Sequence, residues 1–457
     1  MRQIKFVILF LALGGFLVLN YGFANWTIPI FGLSIPIGHV LTLIALALAL
    51  PGNLNKIIPF LKEPAIILWG VLSLLSLGHL FFDLRQYGAY AVRDASFVAE
   101  GGFLFLGYLW AQKQEDQALF LKGMAGLFLI AFIYSLTSLQ PGLMTEYSPV
   151  SGIFQPVPVL GNYSYIYFVL HVGALFYVLA IPPSKKWRNV LLAVLAVLQI
   201  ASMLYFQARS TYYSIVLIIP LILIFSGIRQ TLRMAVCYIA GFITLIAFAY
   251  LLSMKDVELQ GRQGEVTPAF YVEHIETIDP DNKLPNVTGT GWRLDIWRQA
   301  IDHWLASPTT ILVGEGFGRP LTNLRQAGGY TGLAVPEDEI NPKIFSVAIR
   351  QPHNIHLTVL ARLGLLGVLI WISFHARILY LFTHSLQKGK RKKQDNSLVL
   401  WLLLFYVLGM MLATVQPWLE FSQGAIPFYI ILGFSIAILT QKSKALTLEP
   451  NVDISPP

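Results

Sequence analysis

Along most of this chain one pattern recurs: an apolar run long enough, as about 20 residues of α-helix, to cross about 30 Å of hydrocarbon. Inside a bilayer every backbone N–H and C=O needs a partner within the protein, so such runs fold as a helical bundle. Twelve runs are legible, at 4–22, 36–51, 64–82, 89–111, 118–138, 159–181, 188–206, 211–227, 232–253, 354–383, 397–415 and 424–440. Only 12% of the residues are charged, against about 25% in soluble domains. The expected fold is an all-α integral membrane protein of about 12 transmembrane helices, forming one polytopic domain over residues 1–457. The opening "MRQIKFVILFLALGGFLVLN" has the basic-then-apolar order of a secretory signal, but no small-residue cleavage site follows it. It reads as an uncleaved first helix. The single cysteine, Cys237, lies in an apolar run and excludes an intrachain disulfide.

The formal charge of +8 does not point to nucleic acid, because it is distributed as membrane topology demands. With the N-terminus inside, 19 of the 32 basic residues fall in inner segments, and the outer loops 20–35, 139–158 and 416–423 hold none. Lysine and arginine bias of this kind sets orientation. Both termini, including the tail 441–457, are expected in the cytoplasm, and the long 254–352 loop outside. Residue choice is asymmetric too. The inner set is 13 Lys to 6 Arg, whereas the rest is 10 Arg to 3 Lys. Topology needs only positive charge; forked recognition of phosphate or carboxylate needs arginine.

Within the long loop, "RLDIWRQAIDHWLA" places Leu294, Trp297, Ile301, Trp304 and Leu305 on one helical face and Asp295, Arg298, Gln299 and Asp302 on the other. Thr290 is the expected N-cap. The helix is expected along the membrane surface or against the bundle. The glycines of "VGEGFGRP" have no preceding strand and no following Lys-Ser/Thr, so they read as turns rather than a nucleotide loop.

Several ionisable groups collect at the outer face. His353, after Pro352 at the mouth of the tenth run, is either an interfacial helix cap or a proton acceptor near neutral pH. His356, three residues on, suggests a metal pair, but no third ligand stands at convincing spacing, and no metal is expected. Arg209 in "QARSTYY" is either a snorkelling anchor or a ligand group held in a tight turn. Arg293 opens the amphipathic helix, where a cation opposes the helix dipole unless an anion binds there. Arg319 and Arg325 are candidates for further anion contacts, and Arg350 lies beside His353. Arg85, Arg93, Asp94 and Glu100 are expected to pair among themselves, and Arg362, deep in the tenth run, to pair within the bundle or line a lipid groove. No ATP motif exists, so the energy for any reaction must arrive in the substrate. A lipid-linked diphosphate sugar carries it.

At this point three stretches resemble the O-antigen ligase and polymerase superfamily, membrane glycosyltransferases of the GT-C-like class. "HNIHLTVLARLGLLG" is similar to the family's His-Asn, nine residues, then Gly-x-x-Gly, here His353, Asn354, Gly364 and Gly367. "QARSTYY" resembles the Arg-x-x-x-Leu turn, with Tyr213 in place of leucine, and "RLDIWRQAIDHWLASPTTILVGEGFG" resembles the loop segment that supplies Arg293. The resemblance implies transfer of O-antigen from undecaprenyl diphosphate to a hydroxyl of lipid A–core, with inversion, no cofactor and no metal, at the periplasmic face of a bacterial inner membrane. It implies His353 as general base, Arg209 and Arg293 on the diphosphate, and Asn354 orienting His353; Arg298, Arg319, Arg325, Arg350 and His356 would support them. A polymerase or a protein O-oligosaccharyltransferase shares these motifs. A polysaccharide or lipid transporter fits the helix count but predicts symmetric halves, which are not seen.

Overall fold

A computed structural model describes residues 2–30, 33–139, 143–148, 158–161, 165–180, 209–226, 267, 269–270, 291–322, 351–391 and 395–448, with isolated positions between 228 and 251. The first span is α1 (Arg2–Gly14), a π turn at Gly15–Leu19 and α2 (Asn20–Ala24). A short antiparallel hairpin, β1 (Thr27–Ile30) with β2 (Leu33–Pro36), leads into α3 (Ile37–Ala49). That helix then bends by 98° into the Leu54–Leu61 segment, which ends in α4 (Ile57–Leu61). There follow α5 (Pro64–Tyr87), α6 (Ala89–Ala99), α7 (Leu104–Trp110), α8 (Gln114–Ser135), α9 (Leu143–Glu146), α10 (Ile166–Leu179) and α11 (Arg209–Ser226). The remainder is α12 (Gly291–Leu305), α13 (Pro308–Val313), α14 (Ile355–Arg391), α15 (Ser397–Val415) and α16 (Ser422–Leu448).

Six helices among the described residues are long and apolar enough to cross a membrane, or seven if the bent pair at 37–61 counts as one span. Some expected runs are not single continuous helices among the described residues. The expected run 89–111 is α6 and α7 joined by a 3-10 turn at Glu100–Phe103, because Gly101 and Gly102 cost the helix little sequence hydropathy while relaxing its backbone. The run 36–51 is the 13-residue α3, stopped at Pro51-Gly52. The run 159–181 holds the 14-residue α10. The run 188–206 and most of 232–253 lie outside the described residues, as does Thr290.

The post of the bundle is α16, whose apolar window is 94% buried, whereas α5 offers much of its surface outward. Leu74, Phe81 and Phe82 on α5 are 70%, 68% and 74% exposed, which is the face lipid tails would cover. Close packing at the centre depends on glycine. A Cβ on Gly107 of α7 would stand 1.7 Å from the Ile430 carbonyl oxygen, and one on Gly433 of α16 would stand 1.8 Å from that of Leu104. Small residues let two membrane helices touch backbone to backbone.

The bundle has two unlike ends. At one, Arg377 Nη2 of α14 pairs with Glu63 Oε1 just before α5 at 2.9 Å, Arg2 meets Glu115 and Asp116 at 2.8 Å each, and Lys442 Nζ meets Asn396 Oδ1 at 2.7 Å. At the other end, α5 delivers His79 and Asp83 to the 313–318 loop, and α14 begins next to His353. Among the described residues, Lys5 and Lys113 beside Arg2, and Lys442, therefore lie at the end away from the candidate site.

Gly433→Val should lower the melting temperature in detergent, by an overpacking cost of about 1–3 kcal/mol. Gly126→Val, where a Cβ meets nothing within 4 Å, is the control that should change little.

Candidate active site

His353 sits in a strained turn. Its φ is +54°, in the left-handed region that costs a non-glycine residue about 1–3 kcal/mol and persists only where the surroundings enforce it. Three tethers do so. Trp297 Nε1 of α12 donates to the Pro352 carbonyl at 2.9 Å, and Gln351 Nε2 donates to the Glu420 carbonyl at 3.3 Å. Asn354 Oδ1 accepts from the backbone N–H groups of His356 at 3.0 Å and Leu357 at 3.3 Å, which makes it the N-cap of α14. Asn354 thus fixes the helix start beside His353, rather than reaching the imidazole through the bonds its amide oxygen makes.

Trp297 also places Arg293. The two are four residues apart on α12, hence on one helical face, and the indole bond brings that face to the His353 turn. The guanidinium charge is felt at the imidazole. Burial first, and then Arg293, push the His353 pKa down to about 4, so the ring is neutral at physiological pH. Both residues are only partly buried, which leaves the pair accessible. The buried stripe of α12 is centred on Ile296 and Ala300, at 0% and 1% exposure, while Leu294 and Leu305 are 36% and 52% exposed. The apolar face expected from the sequence is therefore rotated, because contact with α14 outweighs hydropathy at the helix edge.

Beneath this turn the glycine loop clasps three helices. Gly314, Gly316 and Gly318 all have positive φ, at +84°, +80° and +94°. Within α14, Gly364 breaks the helix with φ +62° and ψ −163°. The carbonyls of Ala361 and Arg362 then accept from the loop N–H groups of Glu315 at 2.8 Å and Gly316 at 3.0 Å. A Cβ on Gly364 would lie 2.5 Å from the Gly314 nitrogen, so the loop needs glycine on both sides. Asp83 Oδ2 accepts from Phe317 N at 2.7 Å and Asp94 Oδ2 from Gly318 N at 3.0 Å. Arg362, 1% exposed, donates to Asp94 Oδ2 at 2.8 Å and to the Gly316 carbonyl at 3.0 Å. The deep arginine is a fastener inside the bundle, not the lining of a lipid groove.

The other candidates fall in different places. His356 accepts from Trp371 Nε1 at its Nδ1 (3.1 Å), so its Nε2 carries the proton toward Thr414 Oγ1 (3.2 Å). Both ring nitrogens of His356 are thus engaged with the bundle, by Trp371 and Thr414. Arg298 is 74% exposed and 3.5 Å from Asp295. Arg319 pairs with Glu315, which also meets His303 Nδ1 at 3.0 Å. Burial raises the Glu315 pKa, but His303, Arg319 and Arg362 outweigh it and hold the group below its ordinary value. Arg209 opens α11; its side chain, Arg325 and Arg350 lie outside the described residues. Two acids of the 85–100 cluster have partners beyond it. Asp94 is drawn to Arg362 and Gly318, and Glu100 to Ser422 and, at 3.0 Å, His39. Among the described residues no three His, Cys, Asp or Glu side chains gather as a metal set.

Sequence reasoning missed Trp297 as a hydrogen-bond donor, Gln351 and Glu420. Glu420 had a visible signal: it is the one acid in the 416–423 segment, which holds no base to pair with it.

Fold and site together define a multi-pass helical membrane protein with a histidine and an arginine converging at one end of the bundle. A family model described as O-antigen ligase matches residues 191–372. That stretch holds Arg209, Arg293 and His353, and it is similar to the O-antigen ligase family, in line with the resemblance seen in the sequence. Comparison with curated proteins finds no match.

Breaking the clasp by Arg362→Met should cost about 3–5 kcal/mol, since it leaves the Asp94 carboxylate buried without that partner. Arg362→Met with Asp94→Leu should recover part of the loss. Thermal unfolding of the two single variants and the double variant measures the coupling.

Proposed function

We propose that the protein transfers O-antigen polysaccharide from undecaprenyl diphosphate to a sugar hydroxyl of lipid A–core, on the periplasmic face of a bacterial inner membrane. The observation that carries this reading is the convergence of a neutral, strained His353 with Arg293 at the end of the bundle away from the lysines. The positive-inside rule puts the lysine end, and with it both termini, in the cytoplasm. The single membrane domain then presents residues 254–352 to the periplasm and 441–457 to the cytoplasm.

In the reaction, the acceptor hydroxyl gives its proton to His353 as its oxygen attacks the anomeric carbon. The bond from that carbon to the diphosphate oxygen breaks, and undecaprenyl diphosphate leaves with one more negative charge. Arg293 and Arg209 bind the diphosphate and stabilise that charge. Attack opposite the leaving group inverts the anomeric centre, and no metal or cofactor takes part. Arg298, Arg319, Arg325 and Arg350 remain outer contacts for the anionic donor at most.

Donor binding also tunes the base. A seated diphosphate cancels the Arg293 charge and removes the electrostatic part of what depresses His353, so the imidazole becomes more basic only once the donor is in place.

Deletion separates this reading from its relatives within the superfamily. Loss of a ligase leaves polymerised O-antigen on its lipid carrier and bare core on lipopolysaccharide. Core capped with single repeats would mean a polymerase instead, and loss of sugars from proteins a protein O-oligosaccharyltransferase. In a purified assay His353→Ala should reduce turnover by about 10²–10⁴-fold with donor binding kept; full turnover would remove His353 from the mechanism. Arg293→Ala should weaken donor use.

The pH profile tests the coupling. At limiting donor the acid limb should reflect the depressed imidazole of the free site, near pH 4; at saturating donor it should lie at higher pH. Coincident limbs would mean that Arg293 does not report donor binding to His353.

A further inference from the structure

We infer that Glu420 is a positioning residue for His353: a buried, protonated carboxyl group that fastens the strained Gln351–Asn354 turn and loosens it on ionising. This rests on His353 acting as the base. Glu420 lies in the connection between α15 and α16 and is 2% exposed. Its main chain holds the first residue of the turn, and its side chain holds the first turn of the helix that follows. The carbonyl accepts from Gln351 Nε2 at 3.3 Å, and Oε1 accepts from the Thr358 hydroxyl, one helical turn beyond the Asn354 cap. Gln351 and Thr358 are themselves 6% and 3% exposed, so neither bond is exchanged for water. The second carboxyl oxygen, Oε2, is buried without a hydrogen-bond partner, which suits a neutral acid and penalises an anion.

The charged groups facing Glu420 explain why it stays neutral. Arg362 of α14 attracts its anion and Asp94 of α6 repels it. The one guanidinium is already committed to Asp94 at 2.8 Å and to the Gly316 carbonyl. Among the described residues, two carboxylates and one buried arginine leave a net negative charge, which a proton on Glu420 removes. Burial, opposed by the Thr358 bond and Arg362 and helped by Asp94, pushes the Glu420 pKa up to about 8. Above that pH its anion competes with Asp94 for Arg362, and the clasp under the His353 turn slackens.

The sign follows from linkage. An unfolded glutamate titrates near about 4.3, so the folded chain holds this proton more tightly. Stability is then lost as pH rises between the two values and stays low above the folded one. Glu420→Gln keeps an acceptor for Thr358 and cannot ionise. Its melting temperature should gain on the wild type by several degrees as pH rises from 5 to 9, in the full-length protein in detergent. In transfer assays the wild-type kcat should fall above pH 8 at constant donor KM, while Glu420→Gln holds its rate to higher pH. Glu420→Ala should lose about tenfold or more in kcat across the range with donor binding kept. A melting difference that does not change with pH would overturn the ionisation, and a Glu420→Ala enzyme with wild-type kcat would overturn the positioning role. Should Glu420→Ala fail to fold, the Glu420→Gln melting series and pH profile decide alone. The melting series needs no activity, so failure of the proposed reaction would show separately, as an active His353→Ala enzyme.

Discussion

Two carbonyls released by one glycine organise the periphery of this bundle. Where Gly364 breaks α14, the Ala361 and Arg362 oxygens lose their helical partners, and the N–H groups of Glu315 and Gly316 replace them. An unsatisfied carbonyl at membrane depth costs several kcal/mol, so the break and the loop stabilise each other and neither stands alone. The loop directly follows α13, which follows α12 across a two-residue link. Docking the loop therefore docks the helix that carries Trp297 and Arg293. The site is assembled by backbone geometry away from the side chains that contact substrate in the proposed reaction.

Charge then locks what the backbone places. Asp83 on α5 and Asp94 on α6 each accept from a loop N–H, and Arg362 bridges Asp94 to the loop carbonyl. A buried arginine is costly unless its partners are good, and here it has a carboxylate and a carbonyl at hydrogen-bonding distance. That is how a chain with so few charges can keep one in the middle of an apolar run. The ion pair holds α6, α14 and the loop in one register.

Legibility in the sequence divides along the same line. Uninterrupted helices such as α5, α8 and α15 follow from apolar run length, because nothing in their interior competes with helical hydrogen bonding. Interrupted ones do not. Glycines at 101, 102 and 364 barely change hydropathy, yet they decide where carbonyls are released, and only the partner segment reveals that. His353 and Arg293 could be singled out because each was out of place, a base and a cation at helix starts near the membrane rim. Asn354 could be linked to His353 by adjacency, though its cap points down the helix. Trp297, Gln351 and Glu420 stayed hidden because their roles are bonds between segments far apart in sequence, and the indole of Trp297 looked like one more apolar surface. The Arg362–Asp94 pair, 268 residues apart, was hidden for the same reason.

The electrostatics of the His353–Arg293 pair constrain how the proposed transfer proceeds. Burial is the larger cause of the depressed imidazole and Arg293 the smaller. A diphosphate can cancel only the second, so His353 remains a weaker base than a solvent-exposed histidine even with donor bound. A weak base cannot strip a sugar hydroxyl before bond formation. It takes the proton late, once the new bond to the anomeric carbon has made that hydroxyl acidic. Leaving-group departure must then run ahead of proton transfer, which is the order that arginines on the diphosphate favour. A depressed base and a strong anion clamp are in this sense one arrangement: the cation that weakens His353 in the empty site is the group that makes early departure of the diphosphate feasible.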